Sequence, residues 1–156
     1  MSESSVEKTK RKLSALILNH AWTHQCSIFY ENNEDCHLLV RDGNKLKRSL
    51  RKLYPDLPFL VCYRTLYRAE YGGLQAYATI FSMQKIIDMA EIAENAFSAS
   101  TRHRNRRVSQ EKLESTANAI KSQRPHDLNL FFSKPTKRYT IINQKVLVST
   151  KKCSNE

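Results

Sequence analysis

The chain has 156 residues, 40% of them apolar and only three of them glycine. That suffices for a single domain with a real core, because a compact fold of this length buries about 68–70% of the surface its unfolded chain exposes. It excludes a disordered or low-complexity protein. Lys and Arg number 26 against 15 Asp and Glu, a net charge of +11, so the protein's field attracts polyanions such as nucleic acid or an anionic membrane surface.

No run reaches the roughly 18–20 apolar residues that a bilayer span needs, and the first residues lack the apolar core of a signal peptide, so a cytoplasmic protein without membrane contact is expected. Cysteines at 26, 36, 62 and 153 fit neither a zinc knuckle nor a secreted disulfide framework, and are expected as buried free thiols.

In chain order, residues 5–19 predict an amphipathic helix, with Leu13, Leu16 and Ile17 on one stripe after Lys8, Lys10, Arg11 and Lys12. "CSIFY" (26–30) and "CHLLV" (36–40) predict a strand pair around "ENNED". His20 and His24 have a spacing that suits metal on a helix, but no third ligand stands at a recognisable distance, so no metal is expected. His37 is expected in the core, and Glu31, Glu34 and Asp35 in solvent. "DGNKLKRSLRKLYPDLP" switches to a helical period, predicting a helix over 44–54 with Leu46, Leu50 and Leu53 inward and Pro55 and Pro58 ending it. Its other face holds Lys45, Lys47, Arg48, Arg51 and Lys52 with no acid, whereas solvated faces usually mix signs.

"FLVCYRTLYRAE" and "LQAYATIFS" flank "YGG" and predict a hairpin over 59–82. Alternation puts Tyr63, Thr65 and Tyr67 on one face, where tyrosines either stack bases or join the core. From Ser82 a helix is expected, with Met83, Ile86, Ile87, Ala90, Ala93 and Phe97 as its inner stripe. "STRHRNRRVS" (100–109) then concentrates Arg102, Arg104, Arg106 and Arg107. Such a run is either a solvated basic linker or a loop that orders on a phosphate backbone. Ser109 N-caps a second helix with Leu113, Ala117 and Ile120 inward, and "KRYTIINQKVLVSTKK" predicts a C-terminal hairpin introduced by Lys137 and Arg138. The expected organisation is an α+β core over 1–98, a basic linker with a short helix over 99–125, and a basic hairpin and tail over 126–156.

Catalysis needs converging groups, and none is evident. Glycine-rich phosphate loops, nucleophile elbows and Cys/His signatures are missing, and Asp56, Glu70 and Asp88 lack the spacing of a metal-dependent nuclease. No catalytic residue, metal or cofactor is expected.

The element order predicts an α+β fold with a small antiparallel sheet, ferredoxin-like or palm-like, packed with three to five helices. Across residues 36–98, and most at "FLVCYRTLYRAEYGGLQAYATIF", the pattern resembles the central hairpin of rolling-circle replication proteins of filamentous phages and prophages. The resemblance implies a strand with two metal-binding histidines and a nucleophilic tyrosine on the next helix. Gln75 and Tyr77 stand where the histidines would, and residues 83–98 contain no tyrosine.

The expectation is therefore a non-enzymatic nucleic-acid-binding protein of a phage or mobile element, acting in replication, repression or packaging. DNA is the favoured partner over RNA, and a homodimer is compatible with it. Its phosphate contacts would be Arg102, Arg104, Arg106, Arg107, Lys45, Lys47, Arg48, Arg51, Lys52, Lys137 and Arg138. The competing classes are a metal-dependent nicking enzyme or nuclease, and a basic protein that binds an acidic protein or ribonucleoprotein.

Overall fold

The hairpin organises everything around it. In the computed structural model, which describes residues 3–71, 73–123 and 138–147, β2 (Phe59–Arg68) and β3 (Gly73–Ser82) pair antiparallel along their full length. On the β3 side, β1 (His24–Tyr30) pairs with β3 and β4 (Thr101–Arg107) with β1. On the β2 side, β5 (Tyr139–Ile142) completes an antiparallel sheet of order β4-β1-β3-β2-β5. With α2 (Leu39–Leu53) between β1 and β2 and α3 (Met89–Ala96) between β3 and β4, the path is the β-α-β-β-α-β of ferredoxin-like folds. The α+β expectation holds.

Side-chain alternation gives the sheet two faces, and each buries its apolar residues under a helix pair. Ile28, Tyr30, Val61, Tyr63, Ala78 and Ile80 meet α2 and α3 through Leu46, Leu50, Ile92 and Phe97. On the opposite face Leu60, Cys62 and Phe81 meet α1 (Ser5–Leu18) and α4 (Gln110–Ser122) through Leu13, Ile17, Leu113 and Ile120, with Trp22 closing the edge. Fully burying such a side chain contributes about 1.5–3 kcal/mol, so both helix layers are held by apolar area. The α1–α4 pair is also fastened by Lys10, which is buried and donates from Nζ to the Lys121 and Gln123 carbonyls at the end of α4, where the helix dipole favours a cation.

Two neighbours in α2 set how closely it approaches the sheet. Asp42, fully buried, accepts from Tyr30 Oη at 2.6 Å, from the Ser98 amide at 3.1 Å and from Ser98 Oγ at 3.0 Å. It thereby joins α2 to β1 and to the chain leaving α3. Next to it, a Cβ on Gly43 would lie 2.1 Å from Tyr63 Oη, so only glycine lets β2 pack against the helix there.

Several expectations need correction, and the first is Leu53, expected inward but exposed at the end of α2. "CHLLV" is not a strand: Asn33–Leu38 form a 3-10 helix and α2 begins at Leu39. An apolar run of that length does not distinguish a strand from a buried helical turn, and Cys36, Leu39, Leu46 and Leu50 share one buried face. His37 is accordingly exposed, with Nδ1 at 2.7 Å from the Glu34 carbonyl.

The helix expected from Ser82 is shorter, starting at Met89. Ser82 Oγ donates to the Gln84 carbonyl instead of capping a helix, Met83 packs on the α1–α4 side, and Ile87 is 89% exposed. Residues 101–107, expected in a linker, are a strand of the sheet, so the core does not end at residue 98.

The C-terminal hairpin is half right. β5 forms, but residues 144–147 turn helical where the return strand was expected, after Asn143 takes a left-handed φ of 59°. Its Nδ2 donates to the Tyr54 carbonyl at 2.8 Å. The helix expected over 5–19 is present as α1, which ends at Leu18; His20 lies beyond it and His24 begins β1. Cys26, Cys36 and Cys62 are buried free thiols, while Cys153 lies outside the described residues.

Candidate nucleic-acid interface

Strand β4 presents its arginines by the simplest rule of strand geometry. Arg102, Arg104 and Arg106 stand opposite Phe29, Ser27 and Gln25 of β1, so all three project to the α1–α4 side of the sheet. Positions two apart in a strand lie about 6.5 Å apart, close to the repeat of phosphates along an extended nucleic-acid strand. Arg107, with Asn105 and His103, projects to the opposite side.

Arg102, Arg104 and Arg107 are exposed and Arg106 half-buried. No carboxylate among the described residues pairs with Arg104, Arg106 or Arg107; ion pairs elsewhere in the fold include Lys10–Glu7, Arg11–Glu3 and Arg41–Asp42. β4 is also the sheet edge that no other described strand covers, and charge on an edge prevents unwanted strand pairing. Protecting the edge and attracting phosphates are compatible uses of the same side chains.

The basic face of α2 divides. Lys45, Arg48, Arg51 and Lys52 are exposed, and the last two lie in the final turn, where cations complement the helix dipole. Lys47 belongs to the interior: it is 6% exposed, with Nζ 5.0 Å from the centroid of the Tyr63 ring. Burial, with a smaller contribution from Arg51, pulls its pKa down to about 8. It is not a phosphate contact.

Arg138 is likewise buried, and burial lowers its pKa, so it is withdrawn from the surface as well; Lys137 lies outside the described residues. Because α2 covers one face of the sheet and Arg102, Arg104 and Arg106 project from the other, the fold holds two separate basic surfaces.

The tyrosines expected to read bases also divide. Tyr63 is core at 2% exposure, whereas Tyr67 is 66% exposed. The central strands carry another aromatic pair, Phe29 on β1 stacked on Tyr77 on β3 with centroids 4.5 Å apart and the Arg64 guanidinium 5.6 Å from the Tyr77 centroid. Both rings are buried. Gln75, at a position where the resemblance puts a histidine, is fully buried and donates from Nε2 to the Tyr30 carbonyl at 2.9 Å. Among the described residues no three His, Cys, Asp or Glu side chains gather as a metal site, and no helix is long and apolar enough to cross a membrane.

A cleft that the sequence did not reveal opens where β1, β3 and β4 meet the segment leading into α3. It has a volume of about 400 Å³. Its floor consists of two rows of paired residues, Asn105–Cys26–Ile80 and Arg107–His24–Ser82, and its wall of Lys85, Ile86, Ile87 and Met89. His24 Nδ1 is 2.8 Å from Thr23 Oγ1. Burial pushes the Cys26 thiol up to about 12, so it lines the cleft as a neutral apolar group and not as a thiolate.

In comparisons with protein-family models, curated proteins and solved structures, nothing matches this chain.

Proposed function

We propose that the protein binds nucleic acid without cutting it, holding phosphates along β4 and acting by occupancy in the replication, repression or packaging of a phage or mobile element. The observation that carries the reading is the row Arg102, Arg104 and Arg106 on one side of an open edge strand, in a chain of net charge +11. Like charges so close repel one another unless an anion sits among them, and a polyanion with matching spacing removes that repulsion. Exposed Lys45, Arg48, Arg51 and Lys52 form a second, independent contact region. The resemblance of residues 36–98 to phage replication proteins supports the setting, and Gln75 and Tyr77 in place of histidines support the absence of nicking. DNA is the favoured partner, and the cytoplasm the compartment.

The ionic-strength dependence of DNA binding tests this directly. Each arginine that neutralises a phosphate contributes roughly 0.9 to the slope of log affinity against log salt on duplex, and about 0.7 on a single strand. Replacing Arg102, Arg104, Arg106 and Arg107 by Gln should flatten that slope by about 2–4 units and weaken all sequences alike. An unchanged slope with intact affinity would remove β4 from the interface. Magnesium-dependent nicking of supercoiled DNA that stops with a chelator would replace this reading with a nicking enzyme.

A further inference from the structure

The cleft between the sheet and the segment before α3 combines three chemistries. Its wall is apolar, and Ile87 stands 89% exposed at it, while Ile86 and Met89 are buried behind. Its floor is polar, with the Asn105 amide and the His24 ring on neighbouring rows. Its mouth is cationic, from Lys85 and Arg107, and no acid is among the residues lining it. A volume of about 400 Å³ falls within the roughly 300–1,000 Å³ of small-ligand sites.

A ligand complementary to all three has a flat apolar body, a hydrogen-bonding edge and an attached anion. A nucleobase with its phosphate has those parts. The Asn105 amide offers both donors and an acceptor, the set that pairs with a purine edge. With Nδ1 of His24 engaged by Thr23 Oγ1, Nε2 is the ring's remaining polar atom. An acyl chain with an acidic head would meet the same cations but would leave the polar floor unsatisfied.

The site adjoins the arginine row, since Arg107 lines the cleft and directly follows Arg106 in β4. Arg102, Arg104 and Arg106 project from the other side of β4, so a backbone held by that row reaches the cleft mouth by crossing this open edge at Arg107. A base inside a duplex cannot enter, because entry requires unstacking.

We propose that the cleft seats one unstacked nucleotide of a single-stranded nucleic acid, with the base against Ile86, Ile87 and Met89, its edge at Asn105, and its phosphate at Arg107. This rests on the nucleic-acid-binding reading and specifies it: the preferred ligand is a single strand.

The test is a titration of the full chain with a single-stranded DNA oligonucleotide carrying one fluorescent purine analogue, and with the same oligonucleotide in a duplex. Wild type should bind the single strand more tightly and change the analogue's fluorescence. Ile87→Ala and Asn105→Ala, both at exposed positions, should each weaken single-strand binding by about tenfold, the size of one lost base contact. They should leave the salt slope and melting temperature unchanged. If both variants bind like wild type with the slope intact, the cleft proposal is overturned while the phosphate-binding surface stands. If wild type shows no salt-dependent binding to either form, the functional reading fails and the cleft proposal with it.

Discussion

Lys47 shows how a charge can belong to the interior of a basic protein. Buried against Tyr63, it has a folded-state pKa of about 8 in place of 10.5, so the unfolded chain binds its proton more tightly than the folded one. Below pH 8 both states hold the proton, and the buried ammonium destabilises the fold by a constant amount. As pH rises from 8 towards 10.5 the folded state sheds the proton first, and this handicap disappears. Lys47→Met keeps the length and removes the charge, so at pH 7 it should be the more stable protein by about 1–3 kcal/mol. The gap should narrow steadily above pH 8. Comparing the two proteins at each pH isolates this lysine from Cys26 and Cys62, whose thiols are raised to about 12 by burial and whose contribution is lost above pH 9. Equal pH profiles in denaturant melts of the two proteins would show that Lys47 does not titrate in this range. Asp42 and Gly43 carry the opposite lesson: "DG" resembles a helix start in the sequence, yet one is a buried acceptor and the other a point of close contact with Tyr63.

Among the elements, those that announced themselves in the sequence carried two agreeing local signals. The hairpin had alternation on both sides of a glycine pair, and α4 had Ser109, whose Oγ accepts from the Lys112 amide, ahead of a helical period. The elements that did not had one signal or a misleading one. The apolar residues 83–88 continue a helical spacing into α3, but Met83 serves the opposite face of the sheet and Ile87 faces solvent. Ile87→Asp should therefore leave the melting temperature within a degree or two, since surface changes of this kind stay near 0.5 kcal/mol. Ile92→Asp, on the buried side of α3 at 5% exposure, should unfold the protein because it buries an unpaired charge. Thermal melts followed by circular dichroism separate the two. β4 was hidden for another reason: it has no apolar alternation, and its strand period is written in Arg102, Arg104 and Arg106 instead.

Across the protein, the basic residues that looked like one surplus are sorted by the fold into four kinds. Lys10 ties α1 to α4, Lys47 and Arg138 are interior, the α2 cations lie over one side of the sheet, and Arg102, Arg104 and Arg106 of β4 project from the other. Linear spacing does not report this sorting, because burial is decided by what the next layer brings. The candidate cleft was equally illegible, since its floor and wall come from residues 24–26, 80–90 and 105–107, which only the strand order brings together.

That strand order also governs how the chain comes together during synthesis. β1 is the first strand made, yet both neighbours follow much later, with His24 opposite Ser82 on one side and Arg107 on the other; α1 waits longer still for α4. Contacts of such sequence separation must close long loops before they repay the lost entropy, so folding is slow and the growing chain leaves apolar surface uncovered. Trp22, the single tryptophan, reports on this because it is buried against Phe81 of β3, with ring centroids 6.3 Å apart. A chain truncated after Leu57 should show exposed Trp22 fluorescence and no cooperative melt. The full chain should bury the tryptophan in milliseconds or more slowly by stopped-flow refolding, the range of folds dominated by distant pairings.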